Sequence, residues 1–254
     1  MSLEVLNNRA DHTHDNEQFR RIVDIIEHTF EKNGYSGILI GNPFNEHFYR
    51  FRADAILLYD NGLIIVDFKD YEGVIQTPEN EDDFERGRWY SENIKDKVRT
   101  EVKGGSYSNP FYQLKKYRES FYEVVETIPQ LNINPSRVSI INIFSGPITI
   151  ENKIPKKFRY YRLLQESNLG DFLEDFTSEN SYSENLGMVL KTIFPADEWI
   201  KSHPLETEDE PLKVIEIETD VENSIREFLK EDNGGVLVLE SMNSNDRDSW
   251  MRYL

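Results

Sequence analysis

The stretch LLYDNGLIIVDFKDYEG, Leu57 to Gly73, decides the fold. Its apolar run from Leu63 to Val66 has the composition of a buried strand, yet Asp67 and Lys69 interrupt the continuation two residues apart. A charged side chain is almost never buried without a partner, and an unpaired one is costly. The runs FYRFRADAILLYD and LIIVDFK flank Asn61-Gly62, and an Asn-Gly pair between two such runs is the strongest short-range hairpin signal.

With Asn61-Gly62 as a two-residue turn, Asp60 faces Leu63, Ile56 faces Asp67 and Asp54 faces Lys69. Opposed residues of an antiparallel pair share a face, so Asp54, Asp67 and Lys69 gather on one side of the sheet, with the carboxylates diagonal and roughly 7 Å apart at the backbone. A three-residue turn with a bulge changes that register. Two carboxylates at this spacing can grip one divalent cation. Mg²⁺ takes one or two carboxylates and keeps waters elsewhere, and with an ammonium alongside such a cluster can hydrolyse a phosphodiester. The structural alternative is a cross-strand Asp54–Lys69 ion pair, worth at most about 1 kcal/mol at a surface. Asp67 separates the two readings: it follows four apolar residues, and beside Asp54 it is repelled unless a cation joins them.

The 254-residue chain, 38% apolar and 12% aromatic, can bury a full core and is long enough for one large domain plus a smaller piece. Its first residues hold no signal-peptide core, and no apolar run approaches the roughly 18 residues of a membrane span, so a soluble, non-membrane protein is expected. The absence of cysteine excludes disulfides, thiolate zinc sites and a cysteine nucleophile, and fits a cytoplasmic location. A net charge of −18 argues against a simple nucleic-acid binder. That charge is uneven: residues 165–254 hold 22 acidic against 7 basic residues, whereas residues 1–164 hold 25 against 22.

Elsewhere, Phe19, Ile22, Val23, Ile26 and Phe30 give a helix over 17–33, with Asp15 or Asn16 as its cap and Gly34 as its stop. YSGILIG is a short strand, and GRWYSENI a strand or lid. NPFYQLKKYRESFYEVVETI is a helix capped by Asn109, with Pro110 in its first turn and Phe111, Leu114, Phe121 and Val125 as its stripe. RVSIINIFSG is a buried strand and YRLLQESNLGDFLEDF a helix. The expected class is α/β in the order α-β-β-β-α-β-α, over residues 1–200. Residues 201–213 read as an acidic linker. Residues 214–254 read as the start of a second α/β module or a C-terminal extension, with a strand at KVIEIE, a helix at VENSIREFLKED and a strand at GGVLVLES. The last lacks the Gly-Lys-Ser/Thr of a P-loop.

The segment RADAILLYDNGLIIVDFKDYEGVI, then Trp89, then GGSYSNPFYQLKKY resembles the NERD (nuclease-related) domains of the restriction-endonuclease-like PD-(D/E)xK superfamily. The matching pieces are Asp54, then Asp67-Phe68-Lys69 as the (D/E)xK element, Gly73, Trp89, and Asn109-Pro110 with Gln113. Gln113 and Tyr117 also stand as the QxxxY element of RecB-like nucleases, one helical turn apart. The resemblance spans about Glu17 to Phe144. It implies a restriction-endonuclease-like mixed sheet flanked by helices and a Mg²⁺- or Mn²⁺-dependent nuclease acting on DNA. In that reading Asp54, Asp67 and the Phe68 carbonyl ligate the metal, and Lys69 orients or deprotonates the attacking water. Gln113 holds Lys69 or the scissile strand, and Tyr117 supports the helix face. Asp67 stands where the family more often has Glu. Glu17, near the start of the first helix, is the candidate for the family's amino-terminal acid, although it lies nearly opposite its helix's apolar stripe and would equally favour the helix dipole.

Beside such a site, Lys95, Lys97, Arg99 and Lys103 can track a phosphate backbone, as can Lys115, Lys116 and Arg118 on the Gln113 helix; the alternative is a solvated face. His12 and His14 between Asp11 and Asp15 belong to a polar segment rather than a metal site. Members of the family are often fused to helicases or ATPases, which implies that this chain is the nuclease part of a longer protein, with defence against foreign DNA as its setting. The alternative is an inactive nuclease-like module that binds DNA or a partner protein through its acidic part. RNA as substrate and the oligomeric state are left open.

Overall fold

The computed structural model describes residues 3–8 and 17–199. In chain order its elements are β1 (Leu3–Asn7), α1 (Glu17–Asn33), β2 (Gly37–Gly41), β3 (Ala55–Tyr59), β4 (Gly62–Lys69), β5 (Gly73–Gln76), α2 (Glu81–Arg86), β6 (Trp89–Glu92) and β7 (Arg99–Val102). They continue with α3 (Pro110–Thr127), β8 (Ser139–Phe144), β9 (Ile148–Ile150), β10 (Tyr161–Gln165), α4 (Leu169–Asp175), α5 (Glu184–Ile193) and β11 (Asp197–Glu198). The expected cap at Asp15 or Asn16, the segment with His12 and His14, and every element expected beyond residue 200 lie outside the described residues.

Seven strands form a mixed sheet in the order β10-β8-β4-β3-β2-β1-β11; β5, β6, β7 and β9 form a second sheet in the order β7-β6-β5-β9. The large sheet has helices on both faces, the architecture expected of a restriction-endonuclease-like core. Strand β4 lies inside it, antiparallel to β3 and parallel to β8. Its side chains alternate between two cores, because successive residues of a strand point to opposite faces. Ile64 and Val66 join Phe19, Ile22, Val23, Ile26 and Phe30 of α1; Leu63 and Ile65 join Phe111, Leu114, Phe121 and Val124 of α3. The α1 stripe is the one its spacing predicts. Asn109 caps α3, its Oδ1 accepting from Tyr112 N–H at 2.7 Å while its Nδ2 donates to the carbonyls of Glu85 and Gly87.

The hairpin register corrects the expected one. Tyr59 faces Gly62, Leu58 faces Leu63 and Ala55 faces Val66, so the two connecting residues are Asp60 and Asn61. Neither has the positive φ that a primed Asn-Gly turn requires. Tertiary contacts explain the difference. Asp60 exchanges hydrogen bonds with Ser36, and Ser178 N–H donates to the Asn61 carbonyl at 2.7 Å. The bare Cα of Gly62 lies where a Cβ would collide with Phe176 and Ser178.

Two further expectations change. The run FYRFRADAILLYD is a strand only from Ala55; before it, Glu46–Phe48 form a single 3₁₀ turn. YRLLQESNLGDFLEDF is a helix only from Leu169, since Tyr161–Gln165 pair in parallel with β8. The second sheet starts at Gly73, whose φ of +96° and close approach to the Glu92 carbonyl exclude a side chain. Trp89 is fully buried and donates Nε1–H to the Phe84 carbonyl.

Candidate active site

Strand β4 outruns β3. The ladder ends at Ala55–Val66, and Asp54 bends out of it, its N–H donating to the Val66 carbonyl at 3.1 Å while its own carbonyl accepts from Asn42 N–H at 2.8 Å. The slip from the expected register is two residues, an even number, so every side chain keeps its face. Asp67 and Lys69 therefore keep the α3 side of the sheet, and Asp54, at the bend before β3, is brought to the same strand end by the bond it accepts from Phe68 N–H.

Each group is held by neighbours that the fold supplies. Phe68 N–H, lacking a β3 partner, donates to Asp54 Oδ2 at 2.6 Å. Asp67, 1% exposed, accepts through Oδ2 from Lys69 Nζ at 2.6 Å and from Asn142 Nδ2 at 2.7 Å. Asn142 faces Asp67 across the parallel β4–β8 ladder, and its Oδ1 accepts from the Tyr161 hydroxyl at 2.8 Å. On α3, Gln113 Oε1 accepts from Lys69 Nζ at 3.1 Å, and Gln113 Nε2 donates to the Tyr117 hydroxyl at 3.0 Å.

Burial raises both carboxyls above their ordinary range. For Asp67 desolvation is the main cause and the charge of Asp54 adds to it, while Lys69 and Asn142 pull the other way. Asp54 is raised by desolvation against its bond from Phe68 N–H. Desolvation also pushes Tyr117 up to about 12.

The donor set suits a small hard cation. Among the described residues no three His, Cys, Asp or Glu side chains cluster as a metal cage. Mg²⁺ does not require one, since one or two carboxylates suffice. Both aspartates accept through Oδ2, leaving Oδ1 for a cation. The Phe68 carbonyl points to the same strand edge as its N–H, where β3 has ended.

The other expected site residues are placed apart from this cluster. Glu17 is 91% exposed at the start of α1, 3.8 Å from Arg21, on the helix that packs against the opposite face of the sheet. Its neighbour Gln18 is instead buried, donating to the Ile143 carbonyl at 3.1 Å. Arg118 serves the interior: it donates to the carbonyls of Val138, Pro135 and Ser136 and stacks on Tyr160. Lys115 pairs with Glu85 at 2.6 Å and Lys116 with Glu119 at 2.7 Å, which neutralises that helix face. Lys95, Lys97, Arg99 and Lys103 are exposed on or beside β6 and β7.

The sequence reading missed Asn142 and Tyr161. A signal for Asn142 was present, since one polar residue interrupts Ile-Ile-Asn-Ile-Phe just as Asp67 interrupts its own strand. Tyr161 was hidden by the helical reading of its segment.

The family model described as "Nuclease-related domain" matches residues 15–140. No curated protein and no solved structure gives a significant match. The matched span contains Asp54, Asp67, Lys69, Gln113 and Tyr117 and stops two residues before Asn142.

Proposed function

We propose, from the premise that residues 15–140 belong to the nuclease-related domain family of the restriction-endonuclease-like superfamily, that this chain is a metal-dependent nuclease acting on DNA. One observation carries the reading: two raised-pKa carboxylates and an ammonium are assembled side by side at the end of β4, where neither packing nor the hydrophobic core requires them. Asp54, Asp67 and the Phe68 carbonyl would hold Mg²⁺ or Mn²⁺. When bound, that cation supplies positive charge to the scissile phosphate and lowers the pKa of the attacking water.

The chain's own residues do the rest. Asn142 and Lys69 occupy Oδ2 of Asp67 and so fix the carboxylate plane. Lys69 orients the attacking water or takes its proton and offsets the charge that develops on the phosphoryl oxygens. Gln113 accepts from Lys69 and keeps the ammonium at the pair, while the Tyr117 hydroxyl sets which end of the Gln113 amide faces Lys69. The wider setting we propose is the nuclease part of a longer nuclease–helicase or nuclease–ATPase protein that acts against foreign DNA in the cytoplasm.

Supercoiled and linear DNA incubated with Mg²⁺, with Mn²⁺ and with EDTA test the reading. Cleavage with either metal and none with EDTA is expected. Binding without cleavage under all three conditions would overturn it in favour of a nuclease-derived binding module.

A further inference from the structure

The β6–β7 hairpin presents an apolar tip. Among the described residues only four large hydrophobic side chains are exposed, and two of them, Ile94 at 62% and Val98 at 56%, sit on the connection between these strands. This is a built tip. Asn93 N–H donates to the Val98 carbonyl at 3.0 Å and Lys97 N–H to the Asn93 carbonyl at 3.1 Å. Asn93 Oδ1 accepts from Lys95 N–H and Asp96 Oδ1 from Val98 N–H. Lys97 holds a φ of +59°, a conformation unfavourable for a side-chain-bearing residue. The backbone is thus stapled in a shape that leaves two aliphatic side chains in water.

The charge around the tip is opposite in sign to that of the chain. Residues 88–103 hold five cations and three carboxylates, in a protein of net charge −18. Lys95 and Lys97 flank Ile94 and Val98, Lys97 staying 69% exposed although its Nζ lies 3.6 Å from Glu92 Oε1, and the Arg99 guanidinium lies 3.7 Å over the Tyr90 ring. The hairpin is also anchored to the connection that follows β4. Asn93 Nδ2 donates to Glu72 Oε1 at 3.1 Å, Ser91 Oγ donates to the Glu72 carbonyl, and Lys103 N–H reaches the Tyr71 hydroxyl at 3.5 Å. Tyr71 and Glu72 follow Lys69 by two and three residues. At its other end β7 leads within eight residues to α3, which carries Gln113.

We propose that the 93–98 tip is a wedge for duplex DNA, with Ile94 and Val98 inserting at a base step in the minor groove while Lys95, Lys97 and Arg99 contact the flanking phosphates. Aliphatic side chains inserted in this way unstack a step and kink the duplex, and lysines beside them supply the sequence-independent attraction. A single strand has no such step, so the tip gives the proposed nuclease a duplex preference. The inference rests on the nuclease reading, but its structural part is separable from catalysis.

The test uses the full chain, a Lys69→Ala chain for binding, and the double variant Ile94→Ser/Val98→Ser on both backgrounds. The probes are one duplex with 2-aminopurine beside the bound step and the same sequence as a single strand, with Ile94→Leu/Val98→Leu as the conservative control. Binding of the Lys69→Ala chain is expected to raise 2-aminopurine fluorescence. The serine pair should abolish that rise and weaken duplex binding and cleavage about tenfold, with under twofold change on the single strand; the leucine pair should behave as the parent. Equal losses on both substrates, or no loss, would overturn the wedge. Fluorescence rise without cleavage by the parent chain would sink the nuclease reading and leave the wedge standing. Cleavage without a rise would do the reverse.

Discussion

The two faces of β4 are made by one strand and obey different physics. On the α1 face Ile64 and Val66 continue a dry core with Phe19, Ile22 and Val23. On the α3 face Leu63 and Ile65 begin the same way, but the next two inward positions are Asp67 and Lys69. The difference is where partner strands stop. Beside Ile65 the sheet continues through Ile56, whereas beside Asp67 strand β3 has ended and a carboxylate can accept the orphaned Phe68 N–H. Burying Asp67 requires partners for its charge, and β8 and α3 supply them through Asn142 and through Gln113 acting on Lys69. Stability and chemistry are therefore segregated along one strand by parity and by position.

The sharpest break of that comparison uses one substitution from each face. Lys69→Ala is expected to lower metal-dependent cleavage about 10²–10⁴-fold, and Asp67→Ala to abolish it, with both proteins folded. Ile64→Ala should instead cost about 2–5 kcal/mol of unfolding free energy, with the folded fraction cleaving at the parent rate. Cleavage rates paired with urea melts read both quantities, and parental rates in the two site variants would remove the assignment.

The next effect is linked to pH. Asp67 is a carboxyl whose folded-state pKa is raised, to about 7, so its favourable contribution is fully present below the ordinary carboxylate range and is lost as pH rises through that value. A cation that binds the ionised pair reverses this cost. Mg²⁺ or Mn²⁺ should therefore raise the melting temperature more at pH 8 than at pH 6, the whole stabilisation being roughly 2.7 kcal/mol where the metal is at a hundred times its Kd. Asp54→Asn should remove most of the shift. A shift of the same size at both pH values, or in the variant, would place the metal away from this pair.

The smallest expected effect belongs to the support behind Asp67. Tyr161→Phe deletes the hydroxyl that donates to Asn142 Oδ1 and should cost about 0.5–1.5 kcal/mol of stability. Because Asn142 then keeps only its bond to Asp67, metal affinity measured by thermal shift should fall by less than tenfold. A loss as large as that of Asp54→Asn would make Tyr161 part of the metal site itself rather than its backing.

Much of the site was legible because charge within an apolar run is a local signal. Asp67 and Lys69 stand out in their own strand, and Asn109-Pro110 announces the helix that brings Gln113 to them. Asn142 was legible by the same rule. The turn misled, because Asn-Gly carries an intrinsic preference that Ser36, Phe176 and Ser178 override once they pack against it. The segment at Tyr161 misled for a related reason: its apolar spacing suits a helix, while a parallel partner in β8 holds it extended.

By itself, then, the sequence determined which residue types alternate along β4, and with them the face that Asp67 and Lys69 share, since parity survives any even slip of register. It also determined the apolar stripe of α1 and that of α3, where Val124 rather than the expected Val125 is the buried one. Only the tertiary structure decided that Asp54 bends out of the ladder to accept from Phe68 N–H, that Glu17 stands on the other helix layer, and that Arg118 is turned inward while Lys95 and Lys97 stay out. These depend on where strands end and which loops pack on them, and such contacts join residues far apart in the chain, beyond the reach of local periodicity.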